Sequence, residues 1–115
     1  AYAVIPKKDC PHVNSFLPPS LPEGGLKSSG PCNGCQSDKE NWVCLTCNEL
    51  NCARGVNGCG VKHAETDSHP IALSLSDLSV WCYACDSYIA HDLIYPFKLD
   101  AYKRKFGEDP PNRDI

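Results

Sequence analysis

Residues 40–63 read ENWVCLTCNELNCARGVNGCGVKH, with four cysteines and a histidine inside 24 positions. In a chain of 115 residues this density allows two readings: the thiols are bridged to one another, or they share bound ions. The total of nine cysteines argues against complete pairing, since one thiol would be left over or would need a second chain. Spacing points the same way. Cys32 and Cys35, Cys44 and Cys47, and Cys82 and Cys85 each enclose two residues, the spacing at which a tight turn aims two sulfurs at one metal. A single such pair would equally suit a redox couple. Three of them, with histidines nearby, point to structural zinc.

The other potential ligands are Cys10, Cys52 and Cys59, with His12, His63, His69 and His91. Structural zinc takes four protein ligands, so the nine cysteines and three of the four histidines would fill three sites. His91, in SYIAHDLIYP, has no partner at ligand spacing and reads as an ordinary surface or hydrogen-bonded histidine. Full quartets leave no open position for a catalytic water. They also leave no thiol free to act as a nucleophile, and no HExxH is present.

A chain of this length makes one domain with a modest core, for which metal staples are expected. No run approaches the ~18 apolar residues of a membrane span. The opening AYAVIPKKD lacks the basic start and apolar centre of a secretory signal, an observation about this stretch and not about a longer parent. A net charge of −3 at pH 7 gives no general attraction to nucleic acid or anionic membranes and suits a partner with a basic contact surface.

Along the chain, NSFLPPSLPEGGLKSSGP (14–31) is dense in Pro, Gly and Ser and reads as a surface loop. Residues 41–46 alternate as a short strand ending in a metal knuckle. A short helix over 60–66 would set Cys59 and His63 on one face, with Pro70 closing it. IALSLS (71–76) alternates as a half-buried strand, and VWCYACDSYIAH continues the β bias. After Pro96, Leu99, Tyr102 and Phe106 recur at helical offsets, with Lys103, Arg104 and Lys105 toward water and Gly107 as the stop. The basic run reads as a solvated helix face in preference to a nucleic-acid patch.

Spacing does not decide which ligands share an ion. A sequential arrangement would enclose one zinc with Cys32, Cys35, Cys44 and Cys47; an interleaved one would send these two hooks to different ions. Both satisfy the count. The leftover aromatics are equally open. Trp42 and Trp81 could cover a small metal-built core or, being next to rigid knuckles, line a preorganised pocket. Arg54, between Cys52 and Cys59, could pair with a neighbouring acid or offer its planar fork to a ligand carboxylate.

The order Cys10-x-His12, Cys32-x2-Cys35, Cys44-x2-Cys47, Cys52, Cys59, His63, His69, Cys82-x2-Cys85, with ENWVCLTC, CxRxxNG, DLSVWCYAC and KFGEDPP, resembles the UBP-type zinc finger over about residues 9–107. Its motifs are most similar to the version at the C-terminus of a cytoplasmic, histone-deacetylase-like tubulin deacetylase. The resemblance implies a small α+β zinc-binding domain over 9–107, flanked by segments 1–8 and 108–115. It implies a short twisted antiparallel sheet with one or two helices around three structural zinc ions. It also implies the interleaved grouping: Cys10, His12, Cys82 and Cys85; Cys32, Cys35, Cys52 and Cys59; Cys44, Cys47, His63 and His69. Cys59 stands where the family usually has histidine, which makes the second site all-thiolate.

The resemblance further implies a pocket for the free C-terminal Gly-Gly of ubiquitin, lined by Trp42, Arg54, Asp77, Trp81, Tyr83 and Tyr88. Only an unconjugated end carries the carboxylate, and glycine passes where a Cβ would clash. The expected protein is therefore a non-catalytic, monomeric, intracellular module, cytoplasmic or nuclear, that binds unanchored ubiquitin and neither nucleic acid nor membrane. The chain has CARG where the family often has CGRY, so Ala53 replaces a glycine and Gly55 an aromatic. The competing expectation is a targeting module that binds another C-terminal peptide or a surface outside the pocket.

Overall fold

The computed structural model describes residues 6–110; the outer parts of both expected flanking segments, 1–5 and 111–115, lie outside the described residues. Five short strands, β1 (Asn41–Cys44), β2 (Leu50–Cys52), β3 (Ile71–Ser74), β4 (Val80–Cys82) and β5 (Ser87–Tyr88), form one antiparallel sheet in the order β2-β1-β3-β4-β5. Three helices accompany it: α1 (His12–Phe16), α2 (Cys59–Thr66) and α3 (Tyr95–Phe106).

β3 lies at the centre, and all four of its residues are buried. Cross-strand partners share a face, so the pairs Val43 with Leu50, Val43 with Leu73 and Leu73 with Val80 build one apolar side. That side packs against Val13, Leu26, Ile94, Phe97 and Ala101. With each such side chain contributing about 1.5–3 kcal/mol when fully buried, this core is small for the loops it must hold.

One turn geometry is used four times. In the segment 44–49 the Cys44 N–H donates to the Glu49 carbonyl at 2.8 Å and the Asn48 N–H to the Cys44 carbonyl at 2.8 Å. Segment 32–37 repeats the pattern, with Cys32 to Ser37 at 2.7 Å and Gln36 to Cys32 at 2.8 Å. Segment 74–79 repeats it again without cysteines, with Ser74 to Ser79 and Leu78 to Ser74 both at 2.8 Å. The fourth turn joins Cys82 to Ser87 across β4 and β5. Gln36, Asn48, Leu78 and Asp86 occupy the same place in these turns, each with φ between 53° and 66°. Left-handed backbone is costly for a side chain, so the surrounding hydrogen bonds and, at three turns, the paired thiols hold it.

Both outer strands are covered. On the β2 side, the Asn33 N–H donates to the Leu50 carbonyl at 2.7 Å and the Cys52 N–H to Cys32 Sγ at 3.2 Å. On the β5 side, Lys7 bridges Ile89 in parallel, donating to the Tyr88 carbonyl at 2.8 Å and accepting from Ala90 at 2.9 Å. The backbone thus joins the sheet from Lys7.

The helices depart from expectation in two places. α1 runs three residues into the 14–31 segment expected as loop, because Val13 is fully buried and one turn suffices to seat it; Pro18 follows shortly and disfavours continuation. In α3 the buried stripe is Ile94, Phe97 and Ala101, not Leu99, Tyr102 and Phe106, and Phe106 is 53% exposed. The helix begins at Tyr95, with proline in its first turn, and ends on Gly107 at φ +76°, the left-handed cap that glycine favours.

The basic run of α3 is less free than a solvated face. Arg104 pairs with Asp100 at 2.9 Å and also reaches the Gly24 carbonyl. Lys105 donates to the Leu75 carbonyl at 2.9 Å and to that of Ser76. Asp100 in turn accepts from the Leu26 N–H at 2.9 Å, so the Pro/Gly-rich loop is tied onto α3.

Candidate metal centres and binding face

The sheet order brings distant knuckles together in the interleaved grouping. Four potential ligand atoms, all within 4.8 Å of one another, converge at each of three places: Cys10, His12, Cys82 and Cys85; Cys32, Cys35, Cys52 and Cys59; Cys44, Cys47, His63 and His69. The sequential arrangement is not formed: Cys32 and Cys35 meet residues from the end of β2 and the start of α2, while Cys44 and Cys47 meet α2 and the segment before Pro70.

In the first cluster Cys10 and Cys85 sulfurs are 3.5 Å apart, and His12 Nδ1 lies 3.6 Å from Cys10, 3.5 Å from Cys82 and 3.3 Å from Cys85. In the second, Cys35 and Cys52 sulfurs are 3.8 Å apart. In the third, His63 Nε2 is 3.4 Å from Cys47 Sγ and 3.1 Å from His69 Nδ1. Bond lengths of about 2.3 Å to sulfur and 2.0–2.1 Å to nitrogen make the edges of a zinc tetrahedron about 3.8 Å between sulfurs and about 3.3 Å between nitrogens. The donor sets and separations fit zinc, and each cluster could hold one ion.

The thiols are electrostatically awkward by themselves. Burial first, and then neighbouring thiols, push Cys59 and Cys85 up to about 12. Burial likewise takes Cys44 up to about 12 and raises Cys82. Cys35 moves the other way, down to about 7, chiefly because Asn57 Nδ2 donates to its sulfur at 3.1 Å. Crowded thiols of this kind ionise together only around a cation, and a divalent metal deprotonates its thiols outright.

A fourth acidic group, Glu49, His63 and Asp67, shares His63 with the third cluster. Both carboxylates contact His63 Nδ1, at 2.8 and 3.1 Å, while Nε2 faces Cys47 and His69. These acids support a ligand and are not a separate site. Sequence reasoning did not single them out, since nothing at their spacing announces a histidine partner.

The other side of the sheet carries the aromatics. Trp42 pairs with Ser74 and Asn51, and Trp81 with Ala72 and Tyr88. Two indoles therefore flank a floor of small β3 residues, Ala72 and Ser74. Trp81 and Tyr88 meet edge to face with ring centroids 4.9 Å apart. All three rings are half-buried and none belongs to the apolar core. Tyr83, next on this face beyond Trp81, approaches α2, where a Cβ on Gly60 would lie 3.0 Å from the Tyr83 hydroxyl and 3.1 Å from the Cys52 carbonyl. Any larger residue would press the hydroxyl or the carbonyl back by a few tenths of an ångström, so glycine suits this approach, a preference the sequence reading missed.

Arg54 is exposed in the turn between β2 and α2. Among the described residues it has no hydrogen-bond or ion-pair partner. Its charge is felt by Tyr83, whose phenol is raised chiefly by burial while Arg54 acts in the opposite direction. A Cβ at neighbouring Gly55 would meet nothing within 4 Å. Asp77 lies in the turn between β3 and β4, and Ser74 of the floor is among its hydrogen-bond partners. Burial opposes its ionisation, but hydrogen bonds from the Ser79 hydroxyl and N–H, at 2.6 and 3.0 Å, hold its carboxyl below the ordinary value. His91 accepts from the Leu93 N–H at 3.0 Å through Nδ1. No helix among the described residues is long and apolar enough to cross a membrane.

Comparison with known proteins adds relatives to this geometry. The family described as the Zn-finger in ubiquitin-hydrolases and other protein matches residues 32–94. Histone deacetylase 6 of Caenorhabditis elegans is 44% identical over 112 residues, covering 97% of this chain and 12% of that protein. The NAD-dependent deacetylase sir2A of Dictyostelium discoideum is 40% identical over 92 residues, covering 76% of this chain and 18% of that one. Ubiquitin carboxyl-terminal hydrolase 3 of Homo sapiens is 34% identical over 104 residues, covering 73% and 20%. The chain thus spans a fifth or less of these relatives. Among solved structures, the SAGA Ubp8/Sgf11/Sus1/Sgf73 DUB module bound to ubiquitin aldehyde matches in fold, with a TM-score of 0.50 and 18% identity over 83% of this chain and 20% of that one.

Proposed function

Because the chain belongs to the family of zinc fingers found in ubiquitin hydrolases and other proteins, we propose that it binds the free C-terminal Gly-Gly of ubiquitin or of unanchored ubiquitin chains. Fingers of this family are non-catalytic ubiquitin-binding modules, and residues 9–107 form the binding unit in this reading. Three zinc ions hold the scaffold, one in each Cys/His quartet. The setting is intracellular, and the chemistry of any longer parent lies outside this unit.

The observation that carries the reading is the guanidinium of Arg54, unpaired among the described residues and near enough to Tyr83 to act on its phenol, at a face of aromatic rings over a floor of small residues. The bland alternatives are weakened by the same geometry: Arg54 has no acidic partner among the described residues, and Trp42 and Trp81 stand on the side of the sheet away from the core. A glycine pair can lie flat between indoles over Ala72 and Ser74, while its carboxylate meets the guanidinium fork. In this arrangement Trp42, Trp81, Tyr83 and Tyr88 supply contact area, Arg54 reads the charge, and Asp77 fixes the turn at the end of the face through Ser79.

Calorimetric titration with intact ubiquitin, and with ubiquitin lacking its last two residues, tests this. Binding is expected only with the intact form. Equal binding of both would move the contact to another surface, and binding of neither would point to a different C-terminal peptide.

A further inference from the structure

Glu49 contacts a histidine of the third quartet on one oxygen and, on the other, the turn that carries two cysteines of the second. Its Oε2 accepts from His63 Nδ1 at 2.8 Å, and His63 belongs to the third quartet. Its Oε1 accepts from Asn33 Nδ2 at 2.6 Å. Asn33 lies between Cys32 and Cys35 of the second quartet and is further tied by its own N–H to the Leu50 carbonyl at 2.7 Å. Asn51 Nδ2 adds a contact to Oε2 at 3.2 Å, and the Glu49 backbone carbonyl closes the Cys44 knuckle at 2.8 Å. Asp67, the other acid on His63, makes no comparable contact with the second quartet: among the described residues its side-chain partners are His63 and Thr66.

We propose that Glu49 is a positioning residue that couples the second and third metal centres, so that the two lose metal together. This rests on the three-zinc reading above. The physical basis is that a carboxylate has two acceptor oxygens and can hold a partner on each. A metal held by the third quartet would fix the His63 ring with its Nδ1 proton offered to Glu49. Without it the ring would be free to turn, Glu49 would lose its anchor, and Asn33 would no longer steady the Cys32–Cys35 turn. Loss from the second quartet frees Asn33 and loosens the support of His63 in the reverse direction. Partners of ligating histidines typically alter metal affinity about 10- to 100-fold. A shared partner extends that influence to a second ion.

The three quartets have different donor sets: three sulfurs and one nitrogen, four sulfurs, and two sulfurs and two nitrogens. Protein loaded with cadmium-113 in place of zinc should therefore give three separate cadmium resonances, each reporting one centre. With EDTA added to wild type, the four-sulfur and two-sulfur signals should decay at a common rate, with the three-sulfur signal following its own course. Glu49→Gln keeps size and one acceptor oxygen but cannot hold both ends. It should separate the two decays and speed loss from the two-sulfur centre about 10- to 100-fold.

Asp67→Asn should speed that loss while the two signals still decay together. Asn33→Ala breaks only the far end of the bridge and should also separate them. Independent decay in wild type, or decays that stay locked in both Glu49→Gln and Asn33→Ala, would overturn the coupling. Fewer than three resonances in wild type would instead overturn the metal assignment on which it stands.

Discussion

Replacement of Arg54 by Ala isolates the carboxylate contact with little interference from folding. Arg54 is exposed and unpartnered among the described residues, so its removal breaks no intramolecular bond, and the stability change should stay within about 0.5 kcal/mol. Binding should respond far more. Truncating one side of a buried charge pair costs about 2–5 kcal/mol, much of it the penalty of the orphaned partner. Because this guanidinium starts in solvent, the lower part of that range applies, about 2–3 kcal/mol or roughly 30- to 150-fold in Kd. Arg54→Lys should recover only part, since an ammonium lacks the planar fork. Amidating the C-terminus of a peptide ending in Gly-Gly should weaken wild-type binding by a similar factor. Combining amidation with Arg54→Ala should cost much less than the sum of the two. Calorimetry on both proteins and both peptides completes the cycle. Equal binding of free and amidated peptide by wild type would refute the reasoning, and so would additive losses.

Elemental analysis of native, desalted protein should give three zinc ions per chain; chelation should unfold it, since metal binding of about 10 kcal/mol or more per structural site is folding free energy, and a stoichiometry of one would end the three-site reading. Trp81→Ala should abolish peptide binding with zinc content and near-native melting retained, because the indole stands off the core; thermal collapse measured by circular dichroism would make it a structural cover instead. Gly55→Tyr should fold normally, since a Cβ there meets nothing within 4 Å, and should tighten peptide binding severalfold by supplying an aromatic contact of about 1 kcal/mol; unchanged affinity in calorimetry would place residue 55 outside the site.

The metal chemistry was legible because it is local: two residues between cysteines suffice to shape a knuckle. The grouping of hooks was not legible from spacing, because it depends on β1 lying between β2 and β3, a long-range arrangement. β2 went unanticipated for a related reason: Leu50, Asn51 and Cys52 have no alternation long enough to read, and their strand exists by pairing with β1. In α3 the helical period was readable but its phase was not. Ile94, just ahead of the helix, sets the buried stripe and turns Phe106 outward. On the aromatic face, Trp42 and Trp81 are legible as residues beside ligand knuckles and Tyr88 only through the family resemblance, whereas Gly60, Glu49 and Asn33 act through contacts that no spacing rule encodes. Asp77 was singled out for a pocket; its carboxylate is engaged with Ser79 in a turn built like the knuckles but closed without thiols.

The covered strand edges described above have a consequence for solubility. A five-stranded sheet ordinarily presents two open rows of backbone donors and acceptors, where another extended chain can pair. Here one row is occupied by Asn33 and by a cysteine sulfur of the second quartet, and the other by Lys7, three residues before Cys10 of the first. Among the described residues these contacts occupy the edges where an added strand would pair, which leaves the face of the sheet as the open approach. If each quartet holds an ion, the same arrangement would make the metal centres guards of the edges: a molecule stripped at the second quartet would release the segment shielding β2, and one stripped at the first would loosen the strap beside β5. Metal starvation would then turn this domain into a template for self-association before it simply became inactive.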